Sequence, residues 1–129
     1  MQPGRRSPRT LPVVFDAAAW EEDMTRASSA GRAAVAAARR EYETTGVPIA
    51  GLLACDPEGP GGTQLRRCVK VYVPAADRPH GMLFEITRDS SGRLRLAYAA
   101  FGLRHPPRQS RQPSVYEVAH RRLSALESE

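Results

Sequence analysis

The C-terminal half of this sequence concentrates cationic side chains that are suited to binding phosphate. Residues 60–122 hold eleven arginines and the chain's only lysine, Lys70, against four carboxylates, which gives this segment a net charge of +8. Residues 1–59 carry a net charge of −1. Such a segment attracts a polyanion through its long-range field and through counterion release. We therefore expect a nucleic acid partner, RNA first; a solvated arginine-rich surface is the alternative.

Metal-free cleavage of RNA is a reaction that these residue types support. The 2′-oxygen attacks the adjacent phosphate, which requires a base, an acid and cations around the phosphate as charge develops. An imidazole titrates near ~6.5, so His80 and His105 are candidates for the acid or the base. The candidates for contacts with the RNA backbone are Arg66, Arg67, Arg78, His80 and Arg108.

Other classes of site are not indicated. Cys55 and Cys68 lack metal-ligand spacing, so we expect two reduced packing thiols, no metal and no cofactor. The sequence contains no GxSxG, HExxH or CxxC motif and no glycine-rich phosphate loop. The apolar run after the basic N-terminal residues is too short for a signal-peptide core or a membrane span. We therefore expect a cytoplasmic protein without membrane contact.

The N-terminal half is predicted to be mainly helical. Residues 1–10 are predicted to be a disordered arm, and residues 11–129 a single domain that begins with a short strand at Leu11–Phe15. Apolar residues at helical spacing then predict helices over Ala17–Ser28 and Ala30–Thr44. A helical hairpin is the simplest arrangement, and one longer bent helix is the alternative.

The period of the hydrophobic pattern changes to two after residue 62. Leu65–Val73, Met82–Thr87 and Leu94–Leu103 are predicted strands, and their short connections imply an antiparallel meander. Lys70 and Tyr72 share the polar face of the first of these strands. The alternation places four residues of the last strand on one face: Leu94, Leu96, Tyr98 and Ala100.

A C-terminal helix completes the predicted fold. Ser114 followed by Glu117 forms a capping box, so a helix should begin there. Its packing face is predicted to comprise Val115, Val118, Ala119, Leu123 and Leu126. The fold class is therefore α+β: a short N-terminal strand and a helical hairpin on an antiparallel sheet of three to four strands, followed by a short helix. The bare face of that sheet is the expected place for a ligand.

Four short segments carry a family resemblance: Cys68–Tyr72, Gly81–Ile86, Tyr98–His105 and Ser114–Leu123. They combine a basic strand, a strand with an aromatic-x-aliphatic pattern, a strand ending in glycine and arginine, and a short helix with Val-Tyr. In this combination the chain resembles the RelE/ParE superfamily of toxins from bacterial toxin–antitoxin pairs. The helical hairpin suits the N-terminal half of that family in pattern.

The resemblance implies two kinds of activity. RelE-like members cleave messenger RNA on the ribosome without a metal and are neutralised by an antitoxin, whereas ParE-like members inhibit DNA gyrase. By the RelE pattern Lys70 would contact the scissile phosphate and Arg104 would clamp it. Tyr116 would stack on a base or take part in proton transfer, and His105 would lie beside this site.

The sequence departs from the RelE pattern at Gly81, where active members usually carry an arginine that helps to hold the phosphate. The loop Arg104–Pro113 is also longer than expected. Three functions remain open: a metal-free endoribonuclease toxin, a non-catalytic gyrase inhibitor, and an inactive basic module that binds RNA or the ribosome. Only the first requires Lys70, Arg104 and Tyr116 to converge.

Overall fold

Three helices and two β-sheets form an α+β fold in the computed structural model, which describes residues 9–55 and 67–127 and, at 126 and 127, the backbone alone. The helices are α1 (Ala17–Arg26), α2 (Ser29–Thr45) and α3 (Val115–Glu127). The strands are β1 (Thr10–Leu11), β2 (Val13–Val14), β3 (Val47–Pro48), β4 (Leu53–Cys55), β5 (Cys68–Val73), β6 (His80–Arg88) and β7 (Leu94–Leu103).

The larger sheet has the strand order β2-β7-β6-β5-β4. The meander β5-β6-β7 is antiparallel, as predicted. The expectation of a purely antiparallel sheet of three to four strands is wrong, because β2 joins β7 in parallel and β4 joins the far edge. The predicted strand Leu11–Phe15 is interrupted at Pro12, which has no N–H to donate, and β1 pairs with β3 in the separate small sheet.

The helical hairpin forms as predicted and covers one face of the large sheet. Asp16 caps α1 by accepting a hydrogen bond from the Ala19 backbone N–H at 2.8 Å. Gly46 ends α2 with a φ of 82°, a left-handed conformation that glycine adopts without steric cost. The apolar faces of both helices pack on the sheet around a buried core that includes Val35, Val47, Val73, Met82, Phe84 and Leu96.

The C-terminal helix α3 packs on the opposite face. The Ser114 hydroxyl accepts a hydrogen bond from the Glu117 backbone N–H at 3.2 Å, which confirms the predicted start of the helix. Four predicted packing residues lie in the core on this side: Val115, Val118, Ala119 and Leu123. The side chain of Leu126 lies outside the described residues. Helices pack on both faces, so neither face is wholly bare as expected; α3 lies over β7 and β6, while Tyr72 of β5 stays exposed on this side. The candidate site lies where α3 begins.

The arm predicted over residues 1–10 lies only partly within the described residues. Arg9 and Thr10 are described, and both take part in backbone pairing: the Arg9 carbonyl accepts a hydrogen bond from the Ile49 N–H at 2.9 Å, and Thr10 pairs with Pro48. Residues 1–8 lie outside the described part of the chain. No helix within residues 9–55 and 67–127 is long and apolar enough to cross a membrane.

Candidate phosphate-binding site

The candidate site lies on the α3 face of the sheet, over a row of three paired residues of which two are glycines. Tyr72 of β5, Gly81 of β6 and Gly102 of β7 are directly opposite one another in the strand register. Two neighbouring glycines leave space above the strands. Val115, the first residue of α3, lies over Gly102, with 3.7 Å between the valine Cβ and the position that a Cβ on Gly102 would take.

Arg104 fills the space above Gly81. Its Cγ atom lies 3.3 Å from the position that a Cβ on Gly81 would take, so the aliphatic part of the side chain crosses β6. The guanidinium then lies over the ring of Tyr72, with 3.9 Å between its carbon Cζ and the ring centroid. This is a close cation–π contact between the end of β7 and the middle of β5.

Lys70 approaches the same place from β5. Its ammonium donates a hydrogen bond to the Tyr116 hydroxyl of α3 at 3.0 Å. The Nζ atom lies 5.0 Å from the Tyr116 ring centroid and 5.3 Å from that of Tyr72. We define Lys70, Tyr72, Arg104 and Tyr116 as the cationic cluster. Its members come from β5, from the residue after β7, and from the first turn of α3.

The electrostatics of the cluster keep both cations charged. The pKa of the Lys70 ammonium is raised, first by its hydrogen bond with Tyr116, against the opposing effect of burial. The pKa of the Arg104 guanidinium is also raised, first by its polar interaction with Tyr116. Within the described part of the chain, neither cation forms an ion pair with a carboxylate. Two positive charges within 5.3 Å of one ring centroid, with no carboxylate paired to them in the described residues, favour an anionic ligand.

The guanidinium of Arg104 also contains a buried N–H group. The Nε atom is buried and has no hydrogen-bond partner among the described residues. Buried donors are nearly always paired, and an unpaired donor carries a free-energy cost. A bound anion would compensate the charge of two cations that pair with no carboxylate among the described residues.

Comparisons with known proteins give no independent support for a family. The sequence matches no protein-family model, no curated protein and no solved structure. Within the described residues no group of three or more histidine, cysteine, aspartate or glutamate side chains could hold a metal ion.

A β-bulge in β7 directs Arg104 into the cluster. Leu83 pairs with Ala100 and Phe84 pairs with Tyr98, so Ala99 is an extra residue in β7. Without this residue the alternation would place Arg104 on the face of Tyr98, toward α1 and α2. The prediction that Ala100 shares a face with Leu96 and Tyr98 is wrong for the same reason, since Ala100 packs on the α3 side.

Asp23 and Arg122 contact the bulge directly. Asp23, whose exposed fraction is 2%, accepts hydrogen bonds from the Tyr98 hydroxyl and, at 3.0 Å, from the Phe101 N–H. Arg122 donates to the Asp23 carboxylate at 2.8 and 2.9 Å and to the Ala99 carbonyl at 2.9 Å. Burial, followed by the negative charge of Asp23, raises the pKa of the Tyr98 phenol. We define Asp23 and Arg122 as the clasp.

The remaining predicted site residues are not part of the cationic cluster. His105 is exposed directly after Arg104, and Arg108 is exposed in the segment that leads to α3. Arg67 is exposed at the start of β5, with a φ of 64°, and Arg78 is exposed in the loop before β6. Arg66 lies outside the described residues.

Among the candidates that the structure describes, His80 has a placement that does not fit its predicted role. Its exposed fraction is 2%, and its Nδ1 atom lies 2.7 Å from the Arg78 carbonyl oxygen. The imidazole stacks on the Phe101 ring at 5.1 Å and lies against Gly31 of α2. We therefore withdraw His80 as an RNA contact, because a ring packed between the sheet and α2 cannot reach a ligand on the α3 face.

Sequence reasoning did not assign a role to Tyr72, Asp23 or Arg122. For Tyr72 the signal was present, since an aromatic residue two positions after the only lysine lies on the same strand face. For Asp23 and Arg122 no local signal exists, because the two residues are far apart in sequence and each resembles an ordinary charged residue of a helix surface.

Proposed function

We propose that this protein is a RelE-like toxin: a metal-free endoribonuclease that binds messenger RNA, on or off the ribosome, and is neutralised by an antitoxin. The observation that carries this proposal is the convergence of Lys70, Arg104 and Tyr116, which come from three separate elements, around one point of the sheet. A gyrase inhibitor of the ParE kind needs no such convergence. The resemblance in sequence supplies the reaction, and the geometry of the cluster supports it.

The proposed chemistry is an attack of the RNA 2′-oxygen on the adjacent phosphorus. The bond between phosphorus and the 5′-oxygen breaks, which leaves a 2′,3′-cyclic phosphate and a 5′-hydroxyl. Lys70 and Arg104 stabilise the charge that develops on the non-bridging oxygens. The Tyr116 oxygen accepts the Lys70 hydrogen bond, so its own proton is free to be donated to the departing 5′-oxygen. His105 is the candidate base that accepts the 2′-proton.

The proposed partners, messenger RNA or the ribosome and an antitoxin, are those that the family resemblance implies, and the charge distribution is compatible with both. The net charge of +8 over residues 60–122 complements RNA and also an acidic segment of an antitoxin. An antitoxin that covered the cationic cluster would block access to the phosphate site. We place this activity in the cytoplasm, where messenger RNA and ribosomes are found.

The proposal is tested by expressing three variants and the unmodified protein under an inducible promoter. These are Lys70→Ala, the double variant Arg104→Ala/Tyr116→Ala and, as a control, Arg40→Ala, which removes an exposed cation from α2. Growth and the 5′ ends of cellular messenger RNA are read together. We expect arrest with new 5′ ends for the unmodified protein and for Arg40→Ala, and neither effect for the other two variants.

The other outcomes decide between the remaining functions. Arrest without new RNA ends would overturn the nuclease proposal in favour of a gyrase inhibitor. No arrest from a well-expressed folded protein would leave a basic RNA-binding module. Cleavage by purified protein that persists in EDTA and yields cyclic phosphate ends would support the metal-free reaction, whereas cleavage that EDTA abolishes would contradict it.

A further inference from the structure

We infer that Asp23 and Arg122 are positioning residues for the phosphate site, which they serve by holding the β7 bulge that turns Arg104 toward Lys70 and Tyr116. The part of this inference that concerns RNA binding rests on the proposed function. The part that concerns the direction of Arg104 does not. Neither residue belongs to the cationic cluster. Both contact the bulge of β7, after which the alternation of side chains between the two sheet faces is reversed.

The first support is that the clasp satisfies backbone groups at the bulge itself. An extra residue in one strand interrupts the regular ladder and leaves backbone polar groups without strand partners. The Ala99 carbonyl accepts a hydrogen bond from Arg122, and the Phe101 N–H donates one to Asp23. The guanidinium and the carboxylate are also bonded to each other, so one ion pair joins the backbone on both sides of Ala100.

The second support is that α3 carries both a clasp residue and a cluster residue. Arg122 fixes the middle of α3 to β7 and to α1, where its guanidinium also lies 3.2 Å from the Glu22 carboxylate. Tyr116 lies in the first turn of the same helix. The clasp therefore has two effects through one set of contacts. It sets the direction in which Arg104 leaves the end of β7, and it fixes the position of α3, which carries Tyr116.

The third support is energetic. A buried ion pair stabilises a fold little more than well-packed apolar residues of the same volume, and often less. Stability alone therefore does not explain why a carboxylate with an exposed fraction of 2% and a guanidinium meet here. Apolar side chains would fill the same space but could not satisfy the Ala99 carbonyl and the Phe101 N–H. The polar pair is specific for the bulged conformation.

A direct test uses NMR of the free protein, without RNA. In the unmodified protein the δ and ε protons of Arg104 should show ring-current shifts, because its guanidinium lies 3.9 Å from the Tyr72 ring centroid. We expect these shifts to disappear in Arg122→Gln and in Asp23→Asn. Tyr98→Phe is the matched control, because it removes one hydrogen bond to Asp23 but leaves the ion pair and both backbone contacts; its Arg104 shifts should persist.

The functional test is a double-mutant cycle on the affinity for a short single-stranded RNA. We expect Arg122→Gln to weaken binding about as much as Arg104→Ala does, roughly 10-fold, and to have no further effect in the Arg104→Ala background. Arg122→Lys, which keeps the charge but lacks the planar fork that reaches Asp23 and Ala99 together, should restore binding only in part.

Each outcome bears on one of the two proposals. Equal losses of affinity in both backgrounds, or unchanged Arg104 shifts in folded Arg122→Gln, would overturn the positioning role. If Arg122→Gln does not fold, Asp23→Asn and Arg122→Lys provide the same two readouts. If the unmodified protein does not bind RNA, the proposed function fails, while the ring-current test still decides whether the clasp positions Arg104.

Discussion

Arg104 reaches the Tyr72 ring across a residue that has no side chain. A Cβ atom at position 81 would lie 3.3 Å from the Arg104 Cγ and 3.6 Å from the Val115 Cγ1. In the RelE pattern an arginine is expected at position 81, and here the stem of Arg104 takes that space.

The variant Gly81→Ala should therefore weaken RNA binding by displacing Arg104. The new methyl group meets a flexible side chain rather than backbone, so we expect the thermal midpoint to change little and the affinity to fall about 10-fold, equivalent to about 1.4 kcal/mol. The matched control is Gly51→Ala, since nothing lies within 4 Å of a Cβ at Gly51. An affinity for Gly81→Ala equal to that of the control would contradict the assigned path of Arg104.

The hydroxyl of Tyr116 should control the titration of Lys70. The hydrogen bond favours the charged ammonium, so the folded-state pKa of Lys70 lies above its ordinary value of 10.5. The stability that this bond contributes is fully present below the ordinary pKa and is lost as the pH rises through the raised one. Because Lys70 is the only lysine, isotope-labelled lysine gives a single NMR signal with which to measure it.

We expect Tyr116→Phe to lower the pKa of Lys70 toward its ordinary value, because the ring remains and only the hydrogen-bond acceptor is removed. RNA cleavage should also fall in this variant if Tyr116 donates a proton, and should persist if the ring acts only by stacking. A Lys70 signal that titrates identically in both proteins would show that the 3.0 Å contact is not formed in solution.

At the scale of elements, the sequence predicted what local periodicity encodes. The apolar stripes of α1 and α2, the three strands of the meander and the Ser114 cap were all predicted and are confirmed. The first of these strands, predicted over Leu65–Val73, is confirmed from Cys68 onward, since Leu65 and Arg66 lie outside the described residues. The convergence of Lys70, Arg104 and Tyr116 was predicted only through the family resemblance. From alternation alone Arg104 belongs to the other face, because no local pattern shows that Ala99 is an extra residue.

The elements that were missed depend on distant parts of the chain. β3 and β4 have two and three residues, too few for a period to be recognised, and each is defined by its pairing with another strand, β1 and β5 respectively. Asp23 lies among other carboxylates of α1, and its burial becomes apparent only when β7 and α3 are in place. Contacts between residues this far apart in the chain cannot be predicted from a local sequence pattern.

The cap of α3 should affect the site as well as stability. Ser114→Ala removes the acceptor for the Glu117 N–H, which should cost about 1 kcal/mol and loosen the turn that holds Tyr116. The control is Asp16→Ala, which removes the equivalent bond at the start of α1 and should cost a similar amount. We expect only Ser114→Ala to shift the lysine NMR signal. A shift of equal size in both variants would point to a general loss of packing.

At the scale of the whole molecule, the uneven distribution of charge along the chain gives different net charges to two parts of the fold. The helical hairpin belongs to the nearly neutral N-terminal half, whereas β5, β6, β7 and α3 belong to the segment with a net charge of +8. Not every cation in that segment is available to a ligand: Arg122 is occupied by Asp23 and Glu22. Lys70 and Arg104 both lie against the Tyr72 ring, and neither has a carboxylate partner in the described part of the chain.

The salt dependence of RNA binding should identify those two cations. Each phosphate neutralised on a single strand contributes about −0.7 to the slope of log affinity against log salt. Lys70→Ala and Arg104→Ala should each make the slope shallower by about this amount, and the double variant by about twice as much. Arg40→Ala removes the same charge from the α2 layer and should leave the slope unchanged, because its distance from a bound phosphate allows salt to screen it. Slopes that change equally in all three single variants would mean that RNA responds to net charge, and that the cationic cluster is not its site.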